Sequence, residues 1–136
     1  MKKKFFDIAY KEALIGFKCG EVPVGCVIVF NDNVIAKAHN MKEKYNDPTA
    51  HAEIIAIKKA VKVIGDWRLK DCVLYSTMKP CMMCMGAIKE SRISKVYYLI
   101  DSEFNKEYYN KISCVSSSYL YNESLNLLKN FFESKR

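Results

Sequence analysis

The spacing of apolar residues changes repeatedly along this chain, and each change predicts an element. Over residues 4–18, Phe5, Ile8, Ala9, Glu12 and Ile15 fall at helical spacing, with Gly16 and Gly20 near a plausible end. Val24 to Phe30 is then an unbroken apolar run, and Val34 to Ala38 is a second short segment. The turn Asn31-Asp32-Asn33 between them predicts a hairpin. Asp47-Pro48-Thr49 opens a helix from about 50 to 64, with Gly65 just past its end. Cys72 to Thr77 is rich in β-branched and aromatic residues and predicts a strand. Pro80 precedes a helix to about Ser91, and Lys95 to Ile100 predicts another strand. Beyond it the pattern gives a short helix at 103–110, a short strand at 112–116 and a helix over 119–134.

This order, α-β-β-α-β-α-β-(α)-β-α, predicts an α/β fold with a single mixed sheet covered by helices on both faces, a three-layer α/β/α arrangement. No repeat, linker or low-complexity tract interrupts it, so residues 1–136 read as a single domain. The helices expected after Thr49 and Pro80 each start where a loop or strand has just ended. Their N-termini should meet at one edge of the sheet, where sites commonly form.

Composition narrows the picture. Half the residues are apolar and 27% charged, the balance of a soluble globular protein. No apolar run approaches the ~18 residues of a membrane span. The lysines at 2–4 are followed by an apolar stretch that Asp7 interrupts, too short for a signal peptide. A mature cytoplasmic protein is therefore expected, and its six cysteines suit metal binding or burial better than disulfides. Cys26 and Cys72, inside apolar runs, are expected in the core. The net charge of +7 is uneven. Residues 54–100 hold nine Lys or Arg against three Asp or Glu, whereas residues 101–136 hold five of each. A basic segment suits a polyanion such as nucleic acid, but a solvated lysine-rich face accounts for it equally well.

The chemistry is concentrated in two short motifs. His51-Ala52-Glu53 begins one predicted helix, and Pro80-Cys81-Met82-Met83-Cys84 begins another. Cys81 and Cys84 are one helical turn apart, so both sulfurs can face one metal ion. A helix N-terminus favours the thiolate, and Pro80 suits a helix start because it has no amide hydrogen to leave unpaired. His51, Cys81 and Cys84 make three ligands, one fewer than a closed structural zinc site, which leaves a position for water as in a catalytic zinc. Residues two apart do not share a helix face, so Glu53 reaches the same site only if His51 sits at the cap and Glu53 in the first turn. A zinc knuckle would need a second Cys/His pair. The other histidine, His39, has no cysteine nearby and reads as a strand-end residue. A redox Cys-x-x-Cys would leave His51 and Glu53 idle. The joint pattern, His-x-Glu with Pro-Cys-x-x-Cys, is that of zinc deaminases, where the glutamate moves protons and is not a ligand.

Around these motifs stand EVPVG (21–25), AHN (38–40), DPTAHAE (47–53), WRL (67–69), LYST (74–77), PCMMCMGAI (80–88) and SRI (91–93). With them the chain resembles the bacterial tRNA-specific adenosine deaminases over most of residues 5–99, and weakly again in LLKNFF at 127–132. The resemblance implies a cytidine-deaminase-like fold and one Zn2+ per chain. It further implies a homodimer that converts the wobble adenosine of a tRNA anticodon stem-loop to inosine. It places Asn40 against the flipped base and Val24 in the adenine pocket. Two positions depart from the family. Lys79 stands where glutamate is usual before the Pro-Cys pair, and Asp101-Ser102-Glu103-Phe104-Asn105 replaces a glycine-rich Asp-x-Lys-x-Gly stretch that contributes to tRNA contacts.

Two other functions fit part of the pattern. A deaminase of free guanine, cytosine or a nucleoside would keep the chemistry and change the substrate, though EVPVG argues against it. A silent RNA-binding subunit would not need Glu53 and all three ligands intact. Met78, Met82, Met83 and Met85 read as packing around the helix start, and the many tyrosines as strand and interface residues before base-stacking ones.

Overall fold

The computed structural model describes residues 1–102 and 112–135. Among them are five strands, β1 (Gly25–Phe30), β2 (Asn33–His39), β3 (Cys72–Met78), β4 (Lys95–Ile100) and β5 (Ser113–Ser116). Five helices accompany them: α1 (Lys3–Lys18), α2 (Lys42–Tyr45), α3 (Ala52–Ile64), α4 (Met82–Glu90) and α5 (Tyr121–Ser134). The strands form one sheet in the order β2-β1-β3-β4-β5. β1 is antiparallel to β2 and β3, while β3, β4 and β5 run parallel, so the sheet is mixed as expected.

Alternation along the strands builds two cores. Cys26, Ile28, Leu74 and Val96 face one side, where they meet Ala52, Ala56 and Ala60 of α3 and Met85 and Ile88 of α4. Val27, Val29 and Tyr75 face the other, against Phe5, Phe6 and Ala9 of α1 and Leu128 of α5. Alanines at every fourth position of α3 let that helix lie close on the sheet. On the opposite side Gly25 is required, because a Cβ there would overlap the Ala9 carbonyl of α1.

Several boundaries differ from those expected. The β1–β2 turn is the pair Asn31-Asp32, both at positive φ, so β2 starts one residue earlier, at Asn33. The four-residue α2 carried too little periodicity to be visible in the sequence. α3 begins at Ala52, not near 50, because Asp47 Oδ1 accepts both the Thr49 N–H and its hydroxyl and holds the chain in a turn. Gly65 ends α3 in the left-handed conformation as predicted. The predicted helix at 103–110 lies outside the described residues. Cys26 and Cys72 are buried. Met85 packs in the core, but Met82 and Met83 are 59% and 40% exposed, which corrects the packing role expected for them. At the first turn of α4 they point away from the sheet that Met85 meets.

Candidate active site

The starts of α3 and α4 meet beside the start of β1 and the end of β3. His51 is the N-cap of α3 and Cys81 the N-cap of α4, both with extended backbone, and neither side chain caps its own helix. His51 thus stands outside the helical run and Glu53 inside its first turn, the arrangement that lets both serve one centre. Pro80 precedes the N-cap instead of occupying the first helical position. The amide of Ala52, which His51 leaves unpaired, donates to Asn40 Oδ1 at 2.8 Å. Asn40 arrives from the end of β2 and caps α3 from outside.

His51 Nδ1 lies 3.6 Å from Cys81 Sγ and 3.5 Å from Cys84 Sγ. Bonds of about 2.3 Å to sulfur and about 2.05 Å to nitrogen at a tetrahedral angle would separate N and S by about 3.6 Å. The donor spacing therefore matches a tetrahedral zinc, and the three groups can hold one. Hydrogen bonds from Cys84 and His51 pull the Cys81 thiol down to about 3. Sharing a proton with that thiolate and burial push Cys84 up, and the bond to Cys81 raises His51. These contacts favour a thiolate where a cation would sit.

Glu53 is 3% exposed, and Ser76 Oγ of β3 donates to its Oε1 at 3.3 Å. Burial raises the carboxyl above the usual range, opposed by hydrogen bonds from Cys84 and Ser76. A raised carboxyl fixed beside a metal site suits a group that takes and returns a proton. Cys26 is also pushed well up, by burial and then by the Glu53 charge, which keeps it an inert thiol.

A cavity of about 240 Å³ opens onto these groups. Its walls bring together Val24, Asn40, His51, Glu53 and Cys81, five of the six positions singled out in the sequence; Cys84 is buried. Val22, Lys42, Met78, Lys79 and Ser102 also line it and were not assigned there beforehand. Lys79 and Ser102 carried a signal, since both lie at the departures from the family. Ser76 was hidden in a strand motif. Glu21 is 1% exposed and accepts the N–H groups of Glu43 and Lys44, so the EVPVG segment anchors α2 near the cavity. His39 is not in the site. It ends β2 and its Nδ1 pairs with Glu12 of α1 at 3.1 Å, as a strand-end residue.

A model of the cytidine and deoxycytidylate deaminase zinc-binding region matches residues 1–100, which include both helix starts. Over 147 residues the chain is 41% identical to the tRNA-specific adenosine deaminase of Buchnera aphidicola subsp. Baizongia pistaciae, covering 98% of this chain and 90% of that one. The chain belongs to this deaminase family, in its tRNA-specific adenosine deaminase branch. Zinc is the metal of the family's matched region, and the donor set here fits it. A solved structure from work on A-to-I editing by tRNA:A34 deaminases superposes with TM-score 0.87 at 32% identity, covering 93% of this chain and all of that one. The guanine deaminase of Bacillus subtilis superposes with TM-score 0.70 at 42% identity, over 74% of this chain and 65% of that one. The matches to the tRNA-specific adenosine deaminases of Aquifex aeolicus and Bacillus subtilis span 64% and 56% of those proteins, less than two thirds of their length.

Proposed function

We propose that this chain is a zinc-dependent hydrolase that converts the wobble adenosine of a tRNA anticodon loop to inosine, with His51, Cys81 and Cys84 as ligands and Glu53 as the proton carrier. The observation that carries the choice of substrate is the 41% identity to a tRNA-specific adenosine deaminase across 98% of the chain.

Zinc at this site supplies the Lewis acidity that makes water a nucleophile near neutral pH. Glu53 accepts the proton of the attacking water and delivers it to the ring nitrogen beside the amine-bearing carbon. The proton of the newly added hydroxyl then passes by Glu53 to the amine, which departs as ammonia and leaves a carbonyl. Ser76 donates to one oxygen of Glu53 and so helps to hold the carboxyl in place. Asn40 has spent its carbonyl oxygen on Ala52, so its amide N–H groups are what it offers the base, and Val24 gives an apolar wall. A cavity of about 240 Å³ suits one heterocycle, which must leave the loop stack to enter.

The phosphates would meet exposed lysines, among them Lys58 and Lys62 of α3, one turn apart. A homodimer is part of the proposal. Val63, Met82 and Met83 are exposed apolar groups on and beside α3 and α4, and a chain this small has limited surface for a stem-loop. No helix among the described residues is long and apolar enough to cross a membrane, and the substrate places the reaction in the cytoplasm.

The second reading, deamination of a free base, draws on the likeness to guanine deaminase. One experiment separates the two: incubate the protein with an anticodon stem-loop bearing wobble adenosine, and separately with free guanine and cytosine, and assay inosine and ammonia. Inosine in the stem-loop supports the first reading; brisk ammonia from guanine with an untouched stem-loop replaces it by the second. Light scattering on the eluted protein tests the dimer.

A further inference from the structure

The cavity wall contains a lysine whose side chain is only 2% exposed. An ammonium taken from water needs partners, and Lys79 has them. Its Nζ lies 3.4 Å from Asp101 Oδ1 and 5.1 Å from the centre of the Tyr98 ring. Its main chain is held as well: the Lys79 N–H donates to Ile100 O at 2.8 Å, and Ser102 Oγ donates to Lys79 O at 3.1 Å. The β3–β4 register ends at Met78 opposite Ile100, so these contacts continue the pairing one step past the last rung. They fasten residues 100–102 to β3 where Ser102 enters the cavity wall.

We propose that Lys79 is a positioning residue whose ion pair with Asp101 fixes residues 100–102 as one wall of the base cavity. Asp101 stands where the family's Asp-x-Lys-x-Gly stretch also begins with aspartate, so the change at this wall is the lysine at 79, which meets that aspartate with opposite charge, the base inside and the acid outside. The Asp101 side chain is 67% exposed, so the pair runs from the interior to solvent and only the lysine bears the full cost of burial.

The cavity role rests on the deamination reading; the pairing does not. The test uses the full zinc-loaded chain as wild type, K79E, D101K and K79E/D101K, with K79M as a variant that keeps the apolar stem. Urea unfolding, zinc content, and kcat and KM on whichever substrate the wild type turns over are measured for each. K79E and K79M should raise KM by about 5- to 10-fold while changing kcat less, with zinc unchanged. The reversed pair should recover most of the KM and of the unfolding midpoint lost in K79E. Strictly additive single effects in the unfolding cycle would overturn the pairing, even if the wild type deaminated nothing offered to it. Wild-type KM in K79M would overturn the cavity role.

Discussion

The starts of α3 and α4 look alike and are held differently. Each has an extended N-cap residue that serves as a metal donor and not as a cap for its own helix. At α3 the loss is made good by protein, because Asn40 Oδ1 takes the Ala52 amide. At α4 two of the three metal donors, Cys81 and Cys84, sit on the helix start itself, where the N-terminal end of the helix favours the Cys81 thiolate. The α3 start should therefore keep its form without metal, while the α4 start depends more on the ion.

Removing a ligand from α4 tests that dependence most severely. Cys84→Ala should drop bound zinc from one per chain to well under half, abolish detectable turnover and lower the thermal midpoint, since metal binding is coupled to folding. Metal analysis and a melting curve check it. Chelation of the wild type should raise amide hydrogen exchange in α4 before α3; equal loss in both would erase the distinction between the two starts.

Glu53→Gln comes next. It keeps the shape at the α3 start but cannot carry a proton, so kcat should fall by about 100-fold or more with zinc retained. Turnover near wild type would remove Glu53 from its role.

Asn40 sharpens the comparison because it has two tasks on two atoms. Asn40→Ala should lose about 1 kcal/mol of stability with the cap and also impair the reaction. Asn40→Asp keeps the oxygen for Ala52 and removes the amide donor, so stability should hold while activity falls. Urea titration beside kcat/KM separates the atoms; equal loss of stability in both variants would deny Asn40 its capping task.

The sequence carried the order of elements along the chain, the two helix starts and the metal donors, because ligand chemistry and strand alternation both leave local marks. Ser76 was not legible, since a serine in LYST acquires meaning only when β3 lies beside Glu53. The capping by Asn40 spans 12 positions and the Lys79–Asp101 pair spans two strands, so neither could be read from spacing. The charge of segment 54–100 was legible as a sum but not as a surface. Lys79 is buried, and Arg92 stacks at 5.2 Å over Trp67 beyond the C-terminal end of α3, away from its ligand-bearing start.

The outward faces continue the contrast between the helices, and here the expected effect is smallest. Beside the α3 start, Tyr45, Ile54, Lys58 and Lys62 line a shallow groove, whereas the first turn of α4 exposes Met82 and Met83. If α3 carries RNA phosphates and α4 an apolar contact, charge and shape should respond separately. Reversing Lys58 and Lys62 to glutamate should weaken stem-loop binding by about ten-fold at moderate salt and flatten the log–log salt dependence by about one to two units, because each lost phosphate contact leaves counterions in place. The kcat at saturating RNA should change little, since neither lysine lines the catalytic cavity. Binding titrations at several salt concentrations measure both quantities. An unchanged salt slope would move the phosphate contacts off α3 and leave the exposed lysines there as a solvated face.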